Sequence, residues 1–145
     1  ETLLIVDLRT LDLCENGPAT ANIWLATKAN AFPYSGWNDF VVVILGWWAG
    51  AILKVIRDKR GTVRVPFMEG PYRVDVAMSS GKLLFTLIAR DREVGSCEAA
   101  LEPFARSLIS QSQTLLDACR SRQWWSTFAD SLESTLADLK RVISS

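Results

Sequence analysis

Fourteen consecutive uncharged residues, Phe40 to Leu53, constrain this chain more than any other feature. Val41, Val42, Val43 and Ile44 are β-branched and favour a strand. Yet Trp37, Val41, Ile44 or Leu45, Trp48, Ile52 and Val55 recur at helical spacing. The flanks agree with a helix: Asn38 can cap it, Asp39 suits the positive end of its dipole, and Lys54, Arg57, Lys59 and Arg60 suit the negative end. Gly61 can take the left-handed position that closes it. The reading is therefore a helix from about Asp39 to Lys59, apolar nearly all round and so central and buried. A membrane span needs about 20 apolar residues, and this run is bounded by Asp39 and Lys54. It is expected to be a core helix, not a membrane one.

The flanking segments read mostly as strands. Leu4, Val6 and Leu8 alternate with Asp7 and Arg9, the period of a half-buried strand within Thr2 to Leu13. Asn16-Gly17 signals a hairpin, and Thr20 to Thr27 returns. After a loop to Gly36 and the central helix, Thr62 to Phe67, Tyr72 to Met78 and Lys82 to Arg90 predict a meander. Pro66 marks an edge or a strand end. Lys82 to Arg90 is apolar on both faces, so it is placed centrally. Asp91 to Gly95 reads as a turn, and Ser96 to Ala100 as one further short strand. Pro103 suits the first turn of a helix whose stripe is Phe104, Leu108, Leu115 and Cys119. A last helix carries Trp125, Phe128, Leu132, Leu136, Leu139 and Ile143. The expected fold is one α+β domain over residues 1–145: an N-terminal hairpin and a three- or four-strand antiparallel meander, packed on a central apolar helix and a C-terminal two-helix hairpin.

The residues offer little chemistry. There is no histidine, which removes Ser-His and Cys-His nucleophile activation, the usual general base and nearly all catalytic zinc sites. Cys14, Cys97 and Cys119 are odd in number and widely spaced. That suits small apolar side chains in a reducing, cytoplasmic compartment better than a disulfide framework or a metal site. The N-terminal residues carry no signal-peptide pattern, and with no initiator Met the chain is expected to be processed or trimmed. No Gly-rich phosphate loop is present. The 16 cations and 16 anions balance each other on both sides of Tyr72, so no basic domain exists to neutralise nucleic-acid phosphates. No catalytic residue, cofactor, metal or nucleic acid is expected. A carboxylate-only enzyme remains the chemical alternative.

Six tryptophans leave binding surfaces to consider. Core packing is the favoured account of Trp37, Trp47 and Trp48. Trp124 and Trp125 point about 100° apart on a helix, so one of them should lie at the surface. The stretch from Phe32 to Trp37 is either a recognition tip or a lead-in to the helix. The basic cluster from Lys54 to Arg64 fits dipole complementation and a solvated turn. Arg64, Arg73, Asp75 and Thr86 point outward from the meander and could form one mixed-charge face suited to protein partners. With Tyr34, Glu69 and Trp124 they make up the candidate partner-binding set.

Three segments, Phe32-Pro33-Tyr34-Ser35-Gly36-Trp37-Asn38-Asp39-Phe40, Leu45-Gly46-Trp47-Trp48 and Phe67-Met68-Glu69-Gly70-Pro71-Tyr72, resemble the signature of a bacterial immunity protein from a polymorphic-toxin or contact-dependent-inhibition system. The resemblance covers about the middle third of the chain. It implies a cytoplasmic protein that binds one cognate toxin domain as a heterodimer and neutralises it. Nuclease inhibitors of that kind are often acidic, whereas this chain is neutral. The alternatives are an adaptor, chaperone-like or homo-oligomeric module, and a His-free small-molecule binder or enzyme.

Overall fold

The computed structural model describes residues 2–13 and 17–144. Its strands are β1 (Leu3–Asp12), β2 (Thr20–Ala26), β3 (Ala31–Phe32), β4 (Asn38–Asp39), β5 (Val63–Pro66), β6 (Tyr72–Ser79), β7 (Lys82–Ala89) and β8 (Arg92–Ala100). The helices are α1 (Val41–Asp58), α2 (Leu101–Ser121) and α3 (Thr127–Ser144). The fold is α+β, as the residue patterns imply. The hairpin and the meander each head an antiparallel sheet of their own. In the first, β2 pairs with β1 on one side and with β3 and β4 on the other; the second runs β5-β6-β7-β8. Of the Asn16-Gly17 hairpin signal, Asn16 lies outside the described residues.

The central helix forms where its periodicity places it. Val41, Ile44, Leu45, Trp48, Ile52 and Val55 are all buried. Its ends differ from the expectation. α1 begins at Val41 with no side-chain cap, because Asn38 and Asp39 are held in β4. At the other end Lys59 takes the left-handed conformation and its N–H closes on the Val55 carbonyl at 3.0 Å. Gly61 is also left-handed but lies beyond the helix end. Trp48 packs edge-on to Phe85 of β7 at 5.7 Å and beside Phe104 of α2 at 5.6 Å. This trio ties the helices to the meander. Trp47, read as core, is instead 38% exposed, since it sits with Val43, Gly46 and Gly50 on the one side of α1 that is not fully buried.

The C-terminal helices follow their stripes less completely. Ala129, Leu132, Leu136 and Leu139 bury α3, which packs on both α1 and α2. Trp125 and Phe128 lie toward solvent; Trp125 precedes the helix and Phe128 falls off its buried side.

The meander sheet is the more regular, with β7 in its interior. Val65, Val74, Val76, Leu83, Phe85 and Ala99 face inward and are buried. Two turns of two residues join β6 to β7 and β7 to β8, and Ser80, Gly81, Arg90 and Asp91 all have positive φ. This is the twist-matched hairpin geometry. The second turn corrects the expectation for residues 91–95: β8 starts at Arg92, and Val94 is an extra residue at a register shift opposite Leu87 and Ile88.

Candidate interaction surface

The outer face of the meander gathers most of the candidate residues. Cross-strand register places Arg64 opposite Asp75, Asp75 opposite Thr86, and Thr86 opposite Ser96, so one row crosses all four strands. The next row is Pro66, Arg73, Ile88 and Glu93. On the other side lie Ala77, Leu84 and Glu98. Because side chains alternate across a strand, the inward burial of Val65, Val74 and Phe85 directs these residues outward. The helices pack on the inner side, leaving this face polar with Leu84 38% exposed near its middle. One-sided coverage of this kind is usual for antiparallel sheets.

Electrostatics order one corner of the face. The Arg73 guanidinium lies 3.1 Å from the Asp75 carboxylate and 3.4 Å from that of Asp91 in the β7–β8 turn. Arg73 and Asp75 are partly shielded from solvent, whereas Asp91 is exposed. Across the sheet, Lys82 meets Glu98 at 3.1 Å, with both side chains exposed. Arg64 has no ion pair among the described residues.

Tyr34 and Glu69 belong to an aromatic junction between the two sheets. Phe32 and Trp37 meet Phe67 and Tyr72 edge-on, with centroids 5.2 to 6.2 Å apart. Such pairs add to burial through ring quadrupoles. Beneath them Asp39 is buried and accepts three hydrogen bonds: from Trp37 Nε1 at 2.9 Å, from the Phe40 N–H at 2.7 Å and from the Glu69 N–H at 3.2 Å. The 67–72 turn is thereby fastened over the lead-in to α1. Gly70 is what lets it close, with φ of +72° and a virtual Cβ only 2.9 Å from Trp37 Cη2. The Phe32–Trp37 segment is thus largely a lead-in, and only Tyr34, at 55% exposure, stands out from it.

Trp124 lies elsewhere. It sits in the α2–α3 connection, partly buried, with Nε1 donating to the Gly17 carbonyl at 3.2 Å. Trp125 is the more exposed of the pair; Arg120 stacks over its ring at 4.2 Å and its Nε1 donates to Asp130 at 2.7 Å. The candidate set therefore divides into the face (Arg64, Arg73, Asp75, Thr86), the junction (Tyr34, Glu69) and Trp124. Pairing register adds Leu84, Ser96 and Glu98 to the face. Residue patterns alone leave these out, because Leu84 reads as core and the register of Ser96 to Ala100 against β7 depends on the shift at Val94.

The thiols are quiet. Cys119 is buried and Cys97 half-buried on the inner side of β8. Burial raises both above the ordinary value of 9.0; at Cys97 a hydrogen bond with Thr2, and at Cys119 the charge of Arg122, pulls back weakly. Cys14 lies outside the described residues. Among the described residues no three His, Cys, Asp or Glu side chains gather to hold a metal, and no helix is long and apolar enough to cross a membrane. Comparison with family models, curated proteins and solved structures finds no match.

Proposed function

We propose that this chain is a non-catalytic protein-binding domain, of the kind by which an immunity protein binds and neutralises a cognate toxin domain. The observation that supports it is the outer face of the meander. Four strands present one continuous surface with a partly apolar middle (Leu84, Thr86) and a charged surround (Arg64, Arg73, Asp75, Glu98). Protein interfaces share that arrangement of a less polar centre and a polar rim. The strands that carry it are continuously paired and Arg73 meets two carboxylates, an arrangement that lowers the ordering cost of binding. The test is a variant with a bulky charge in the centre, Thr86→Arg. It should leave thermal unfolding unchanged and abolish binding to, and neutralisation of, the co-encoded toxin. Unchanged neutralisation would remove the face from the account.

One observation favours a second reading, an adaptor or homo-oligomeric module. A groove of about 280 Å³ runs between Pro18, Val42, Val43, Trp124 and Phe128. One turn along α1 from Val43 stands the exposed Trp47. Its test is a Phe128→Ser, Trp47→Ser double variant: loss of self-association would support it, and an unchanged mass would not.

A further inference from the structure

Between the end of α1 and β5 the chain carries its largest local excess of one charge. Lys54, Arg57, Lys59, Arg60 and Arg64 are accompanied by one anion, Asp58, in a chain that is neutral overall. Asp58 is taken by Lys54 at 3.2 Å. Arg57, Lys59, Arg60 and Arg64 are all exposed, and none of them meets a carboxylate among the described residues. Elsewhere the unpaired cations stand singly or, like Arg90 and Arg92, alternate with carboxylates.

Local structure accounts for only part of this charge. The negative end of a helix is equivalent to roughly half an elementary charge, and Arg57 is the one cation in the last turn of α1. Lys59 lies beyond that turn in the left-handed conformation, where glycine is the usual occupant. Edge protection does not call for the charge either. Exposed strand edges are templates for pairing, and folded chains usually close them. On β1 a neutral amide does so: Gln111 of α2 accepts from the Val6 N–H at 2.7 Å and donates to the Leu4 carbonyl. On β5 the Phe67 N–H bonds the Tyr72 carbonyl, so by ladder alternation Pro66 faces away from β6. It has no N–H to offer a further strand.

We infer that the corner formed by Arg57, Lys59, Arg60 and Arg64 docks an acidic segment of the same toxin domain, an assignment that rests on the outer face being its binding surface. Arg64 belongs to both. It heads the row that runs through Asp75 to Thr86, two strand spacings or about 10 Å away, well inside the span of one protein interface. Four uncompensated cations attract an anionic partner and speed its encounter. Carboxylates on a protein surface fit them better than a polyphosphate does. Nucleic acid is held along a continuous basic track, and single strands also on exposed aromatic rings. Here Asp58 and Asp75 interrupt the track, and residues 54–64 include no aromatic side chain.

The experiment is the association rate of the full chain with the purified co-encoded toxin, by stopped flow, from about 20 mM to about 500 mM salt. The test variant is Arg57→Gln, Lys59→Gly, Arg60→Gln, which spares Arg64 and the face. Gln suits a helix end and Gly the left-handed position, so the fold is kept. The variant should associate about tenfold more slowly than wild type at low salt, and equally fast at high salt. An Arg57→Lys, Arg60→Lys control keeps the charge and should keep the wild-type rate. Equal rates for the triple variant and wild type at low salt, with Thr86→Arg still defective, would overturn the corner and leave the face standing. A wild-type rate that does not fall with salt would do the same, whatever the variant's folding. Wild type that forms no complex at all would remove both. Binding to short duplex DNA or to phosphatidylserine vesicles that vanishes in the triple variant, with toxin association unchanged, would assign the corner to another polyanion and overturn the proposal.

Discussion

Trp37 donates its indole N–H to the buried carboxyl of Asp39, two residues along the chain, at 2.9 Å. The same carboxyl receives the backbone N–H groups of Phe40 and Glu69. One side chain thus joins the first sheet, the start of α1 and the turn that opens the meander. Asp39→Ala would strand three donors, two of them backbone. Unfolding in urea should show a loss of about 2–4 kcal/mol. An unchanged midpoint would mean that the junction does not depend on Asp39.

Gly70 and Gly61 both have positive φ but differ in surroundings. A Cβ at Gly61 meets nothing within 4 Å, so Gly61→Ala carries the backbone cost alone, about 1 kcal/mol. At Gly70 the Cβ also strikes Trp37 and Tyr72, and Gly70→Ala should cost about 1–3 kcal/mol more. Parallel thermal melts of the two variants check the ordering; equal losses would contradict it.

Gln111 is held toward β1 partly through Ser107, to which Nε2 donates at 3.2 Å. Gln111→Ala removes both edge bonds. Stability should fall by about 1–2 kcal/mol, and the bared β1 edge should raise the rate of aggregation, followed by light scattering during mild heating. A stability loss without faster aggregation would show that the amide is not what protects that edge.

The buried thiols set a sign for alkaline stability. Cys97 and Cys119 hold their protons more tightly folded than unfolded, chiefly because burial penalises the thiolate. The folded state then carries more protons above the ordinary value of 9.0, so this contribution is whole below that pH and declines above it. Denaturation midpoints for wild type and Cys119→Ser should converge as pH rises past that value under reducing conditions. Parallel pH profiles would contradict the assignment.

The elements legible from residues alone were those carried by unbroken periodicity. α1 was recognisable because its apolar positions outlast the β-branched run, and β6 because Tyr72 to Met78 alternates without interruption. The boundaries were not legible, since they depend on tertiary bonds. Asn38 and Asp39 look like helix caps until the pairing of β4 with β2 claims them. The β7–β8 hairpin was hidden because Arg90-Asp91 fills a turn that ordinarily calls for Asn-Gly or Asp-Gly. The mixed-charge face was partly legible, since Arg64, Arg73, Asp75 and Thr86 share outward parity. Ser96 and Glu98 could join it only once the register across the shifted β8 was known.

The outer face of the meander is proposed to bind a toxin domain and silence it. The most direct measurement is growth of cells expressing the co-encoded toxin together with either wild type or Thr86→Arg, both at matched, folded levels. Growth is expected with wild type, at one chain per toxin in the purified complex, and arrest with Thr86→Arg. A toxin-encoding neighbour that proves harmless alone, or full rescue by Thr86→Arg, would contradict it.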